Sequence, residues 1–123
     1  MCFYKDSDGY IHRLAEKDIV CYKYMFKYGD VYLSIQQHFR YVLGEVYNAD
    51  IYTSNRYSLH ELDERSTLED GVFHSYTVPG IRPYDPRIVR VMCIIPKGIP
   101  YWFSSMFHEY ASTAIKVVSE VLT

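Results

Sequence analysis

An α+β domain is what this sequence predicts: a small, largely antiparallel sheet, curled and partly barrel-like, with one or two short helices. Three observations predict it. Several runs alternate apolar or aromatic residues with others at period two, the stretch SLHELDERSTLEDG carries a helix-capping pattern, and glycine and proline punctuate the chain between such segments. With 123 residues there is room for one core only, so a single compact domain over residues 1–123 is expected.

The first strong segment is DIVCYKYMFKY. Val20, Tyr22, Tyr24, Phe26 and Tyr28 form an aromatic face, and Ile19, Cys21, Lys23, Met25 and Lys27 a mixed one; Gly29-Asp30 ends the strand. HFRYVLGEVYNADIY follows as short strand, turn, short strand, with Phe39, Tyr41 and Leu43 on one side before Gly44. In SLHELDERSTLEDG, Ser58 precedes Glu61 by three residues, a capping box, and Gly71 supplies the stop; the thin apolar content (Leu59, Leu62, Leu68) makes this a surface helix or an ordered loop. GVFHSYTV reads as a further short strand. PGIRPYDPR holds three of the five prolines, which imposes an irregular and stiff connection.

IVRVMCIIPKGIPYWF contains the clearest strand. Val89, Val91, Cys93 and Ile95 line one face, and Ile88, Met92 and Ile94 the other, so it is expected to be central and covered on both sides. Pro96-Lys97-Gly98 then turns the chain. The final segment satisfies two periods: Ala111, Ile115, Val118 and Leu122 have helical spacing, and Ile115, Val117 and Val121 strand spacing. Its β-branched residues favour a strand over Ala114–Val118.

Composition narrows the function. A net charge of −2 gives no electrostatic basis for binding duplex nucleic acid or an anionic membrane. No apolar run approaches the roughly 20 residues of a membrane span, and MCFYKDSDGY is polar where a secretory signal would be apolar. The expectation is a cytoplasmic protein. Cys2, Cys21 and Cys93 are odd in number and widely spaced, which disfavours a disulfide scaffold or a cysteine-rich zinc site. None of the five histidines stands at ligand spacing from another, so no metal is expected. Phosphate-loop, H-E-x-x-H, G-x-S-x-G and paired C-x-x-C patterns are missing from the sequence. Fourteen tyrosines in so short a chain exceed what a core can hide and predict an aromatic surface patch.

Three places can carry chemistry. Glu109, between His108 and Tyr110 after YWFSSMF, is either an acid/base or ribose-binding carboxylate at the lip of a strand, or a solvated one beside a core-edge tyrosine. His74 alternates with Val72 and Tyr76, so His74 and Tyr76 either floor a pocket or belong to the core. Arg82, Arg87 and Arg90 cluster with Tyr84 and Asp85 on the proline-stiffened loop. Guanidinium groups held there suit a phosphate or carboxylate, with Tyr84 stacking on a base; the alternative is a solvated charged loop.

DIVCYKYM, FRYVLGEVYNA, GVFHSY, VMCIIPKGIPYWF and EYASTAIKV, in that order, resemble an uncharacterised family of small bacteriophage and gut-bacterial proteins. The resemblance implies a short β-rich cytosolic domain, in the host cytosol for a phage-encoded chain. It breaks between Tyr76 and Val89, where relatives carry a helix-like stretch. A fainter likeness links FHEYASTAIKVV and GVFHSY to the last and middle strands of ADP-ribosyltransferases. That likeness implies a catalytic Glu109, with Tyr76 or His74 on the nicotinamide side of NAD. The first-strand histidine or arginine of those enzymes has no counterpart, its place being held by Tyr22-Lys23.

The expected function is therefore a non-enzymatic, phage-derived binding protein for a nucleotide-like small molecule or a host protein, with an anti-defence role. Its ligand contacts would come from Tyr22, Tyr76, Arg82, Tyr84, Arg87, Glu109 and Tyr110, without a cofactor. The alternatives are a mono-ADP-ribosyltransferase-like enzyme using NAD, and a homo-oligomeric structural or virion-associated protein.

Overall fold

The computed structural model describes residues 11–35, 39–48, 73–105 and 107–122. Every regular element among them is a strand: β1 (Ile11–Leu14), β2 (Ile19–Tyr28), β3 (Val31–Ser34), β4 (Arg40–Tyr41), β5 (Val46–Asn48), β6 (Phe73–Tyr76), β7 (Ile88–Ile95), β8 (Pro100–Ser104), β9 (Glu109–Ser112) and β10 (Ala114–Glu120). This corrects the α+β expectation. The described part is all sheet, with no helix, because its segments are built from β-branched and aromatic residues at period two, and the described connection over residues 77–87 is broken by Pro79, Pro83 and Pro86. The capping-box stretch, residues 58–71, lies outside the described residues. No helix among those described is long and apolar enough to cross a membrane.

All strand pairs are antiparallel, in the order β1-β8-β9-β6-β2-β7-β10-β5, with β3 joined to β2 and β4 to β3. The sheet is strongly curled, as its connections require. β9 and β10 are separated by Thr113 alone, yet stand four places apart in that order. In a flat sheet they would be roughly 19 Å apart, at ~4.8 Å per strand. The two are one strand bent at Thr113, passing from one layer to the other. The β1–β2 and β7–β8 connections turn at the same corner: Ala15 N–H bonds the Ile99 carbonyl at 3.0 Å, Gly98 N–H the Ala15 carbonyl at 2.8 Å, and Thr113 N–H the Pro100 carbonyl at 3.2 Å. β6 meets β2 at a single pair, Tyr22 with Tyr76. β1 and β5 do not pair, so the sheet is curled but not closed, a second correction to the barrel-like expectation.

The mixed face of β2 is the inner one. Cys21 and Met25 are fully buried there with Val91, Cys93 and Ile95 of β7, Ile115 and Val117 of β10, and Tyr32, Tyr41 and Phe73. β7 lies between β2 and β10, in the central position expected of a strand apolar on both faces. The closing segment is extended through Glu120, with a bulge between Val117 and Ser119.

Candidate functional site

The proline loop is fixed at both ends. The Tyr24 hydroxyl donates to the Ile81 carbonyl (2.9 Å) and Arg90 Nη1 to the Gly80 carbonyl (2.9 Å). Farther along, Lys27 N–H bonds the Arg87 carbonyl (2.8 Å) and Ile88 N–H the Asp85 carbonyl (3.0 Å). Asp85 accepts from Arg87 three times: from the backbone N–H at 2.9 Å, from Nε at 3.1 Å and from Nη2 at 2.8 Å. Those bonds hold the Asp85 carboxyl down at about 2. The Arg87 guanidinium also lies 6.0 Å from the centre of the Phe26 ring. Arg87 is therefore a brace of the loop, already engaged, rather than a free anion binder.

Between this loop and the end of β10 lies a cleft of ≈ 340 Å³. Arg82, Tyr84, Arg90 and Glu120 line it among apolar side chains such as Ile88 and Val121. Such a volume is at the small end of ligand pockets. Arg82 is exposed and has no hydrogen-bond partner among the described residues, and the Tyr84 ring stands fully in solvent. Glu120 is fixed from the opposite wall, where Oε2 accepts from Lys27 Nζ (2.6 Å) and from the Tyr32 hydroxyl (2.9 Å). The Lys27 hydrogen bond, outweighing burial and helped by the Tyr32 hydroxyl, draws the Glu120 carboxyl below its ordinary value, so it remains ionised. The β10 bulge is what brings Glu120 here: it pairs Glu120 with Val91, putting it on the face that Ile115 and Val117 share.

The second set of expected residues gathers elsewhere on the sheet. Tyr76 of β6 stands directly opposite Glu109 of β9, which is also opposite Ser104 of β8. His74 shares their face two residues along β6 and is half-buried. Trp102 and Ala111, paired on the same face, are fully buried. Glu109 is only 1% exposed, and its Oε2 has no hydrogen-bond partner among the described residues. Burial pushes its carboxyl up to about 7 against the opposing pull of the Lys23 charge. Lys23 points to the core side of β2, where the β2–β6 ladder ends after one pair, and its ammonium donates to the His74 carbonyl. Burial lowers its pKa.

The seven expected ligand contacts are thus divided. Arg82 and Tyr84 share the cleft. Tyr22, Tyr76 and Glu109 form a row across β2, β6 and β9. The Tyr24 ring joins the two regions, packing edge-on against Tyr76 at 6.1 Å while its hydroxyl holds Ile81. Tyr110 faces the other side of β9 from Glu109 and packs against Tyr101 (5.9 Å) and Phe103 (5.5 Å). Sequence reasoning missed Glu120, Lys23, Lys27 and Tyr32 as candidates. Lys23 and Lys27 carried a signal, lysines at inward positions of a strand whose neighbours are Cys21 and Met25; Glu120, re-aimed by a bulge, carried none.

Among the described residues no cluster of histidine, cysteine, aspartate and glutamate is placed to hold a metal ion. No family model matches the chain, and neither a curated protein nor a solved structure matches it.

Proposed function

We propose that this protein is a non-catalytic binding protein that holds a small, anionic, ring-bearing molecule of the nucleotide type in the cleft between the proline loop and the end of β10. The observation that carries the reading is the pairing of an Arg82 guanidinium that has no hydrogen-bond partner among the described residues with an open Tyr84 ring, on a loop that hydrogen bonds have already ordered. Guanidinium is the side chain best suited to a phosphate or carboxylate, and a phenol ring stacks on a base. Order in advance lowers the entropic penalty of capture.

Calorimetry against adenine mono- and dinucleotides and cyclic nucleotides tests the reading. Binding by at least one of them is expected. Arg82→Ala should weaken it ten- to a hundredfold, roughly the value of a charged hydrogen bond, while leaving the thermal midpoint unchanged, since Arg82 is exposed. Flat traces across the panel would overturn the reading.

One observation favours a transferase-like second reading: Glu109 and Tyr76 are directly opposed, with His74 on their face. Against it stands the burial of Glu109, which keeps the carboxylate from any substrate in this conformation. Consumption of labelled NAD by the wild type and its loss in Glu109→Gln would support the second reading; absence of turnover at high protein concentration would end it.

A further inference from the structure

Glu120 lines the cleft with a carboxylate only half used. Both of its donors, Lys27 Nζ and the Tyr32 hydroxyl, bond the same oxygen, Oε2. Oε1 has no hydrogen-bond partner among the described residues. The side chain is held from behind, so no rotamer freedom remains to be lost when a ligand reaches it. It stays ionised, and an ionised carboxylate only accepts hydrogen bonds. The ligand must therefore present donors here.

The neighbouring charges restrict which donors. Lys27 already balances the Glu120 charge through a 2.6 Å ion pair, so a cationic ligand group gains little over a neutral one. Arg82 and Tyr84 line the same cleft and suit an anion and a flat ring in one molecule. A neutral donor group between an anion and a ring, inside about 340 Å³, is met by the vicinal hydroxyls of a ribose in a mononucleotide. The free Oε1 can accept from either vicinal hydroxyl through its two lone pairs, and hydrogen bonds to a charged acceptor are the strong kind.

Resting on the binding reading above, we propose that Glu120 is a specificity-determining residue: its free oxygen accepts from the sugar hydroxyls and makes the cleft select ribonucleotides over nucleotides lacking those hydroxyls. The Lys27–Glu120–Tyr32 group is the positioning device, and the bulge in β10 is what supplies it to the site.

Calorimetry with AMP, 2′,3′-dideoxy-AMP and inorganic phosphate tests this on the full chain. AMP should bind roughly ten- to a hundredfold more tightly than the dideoxy nucleotide, from the range for charged hydrogen bonds, with phosphate weaker than either. Glu120→Gln should bring the ratio of AMP to dideoxy-AMP affinity down to about one. Tyr32→Phe, which keeps the carboxylate but frees it, should lose part of the preference. Equal affinities for AMP and dideoxy-AMP in the wild type would overturn this inference while leaving the binding reading intact. No heat from either nucleotide, together with no binding across the wider panel, would overturn both.

Discussion

Replacing Glu109 by glutamine should stabilise the protein at pH 8 and do little at pH 5. Glu109 sits almost wholly out of solvent opposite Tyr76 and Ser104, and its carboxyl is raised from an ordinary 4.5 to about 7. A raised pKa in the folded state means folding favours the protonated form. The associated stability is complete below pH 4.5 and is lost as pH rises through about 7. At ~1.36 kcal/mol for each tenfold difference in proton affinity, the ionised form costs about 3 kcal/mol at pH 8, most of it acquired above pH 5. Glutamine has the shape of the protonated acid and does not titrate. Urea unfolding at pH 5, 6, 7 and 8, followed through the single tryptophan, Trp102, reads the difference directly. The variant should lie within about 1 kcal/mol of wild type at pH 5 and gain about 2–3 kcal/mol by pH 8. Groups common to both proteins cancel in the comparison. A variant-minus-wild-type difference that is the same at pH 5 and pH 8 would refute the reasoning, because it would mean that Glu109 ionises as freely in the fold as outside it.

Lys23→Met removes the positive charge that opposes the raised Glu109 pKa, so the Glu109 titration followed by carbon-13 NMR should move above about 7; an unchanged or lower midpoint contradicts the coupling. Trp102→Ala empties a fully buried position and should lose about 3–5 kcal/mol in chemical denaturation. Gly80→Ala places a Cβ against the Tyr24 hydroxyl at a residue whose φ is +72°. Lost hydrogen bond and strained backbone together should lower stability by about 1–2 kcal/mol and weaken nucleotide binding, since the bond from Tyr24 to Ile81 holds the loop that carries Arg82.

The strands that could be read from the sequence are those whose alternation is uninterrupted. β2 and β7 show two consistent faces over eight residues or more, and Gly29-Asp30 marks where β2 stops. β8 and β9 were not legible as strands, because Ser104–His108 breaks the period inside one aromatic-rich run and the left-handed backbone of His108 (φ 53°) has no sequence marker. β3 could have been found: a two-residue turn containing Gly29 after a strand is a hairpin signal. The arginine loop was legible as a stiff connection, but the engagement of Arg87 by Asp85 and the freedom of Arg82 depend on side-chain geometry that spacing does not encode. The inward lysine of β2 was visible as a residue and not as a role, since its partner, the His74 carbonyl, is supplied where the ladder between two distant segments fails. Glu120 was hidden for a different reason: a bulge reverses the alternation from which its direction would have been inferred.

The strand order also bears on how the chain reaches its native form. The two ends of the main strand order, β1 and β5, come from the first 48 residues, yet each is paired to a strand that emerges after residue 99. Of the described strands, the first 48 residues alone can complete only the β2-β3-β4 meander; β7 joins β2 once residue 95 is made, but both ends of the strand order still wait for β8 and β10. Assembly therefore waits on closures that join distant parts of the chain, the slow kind, and the two halves of the polypeptide interlock so that neither is a folding unit without the other.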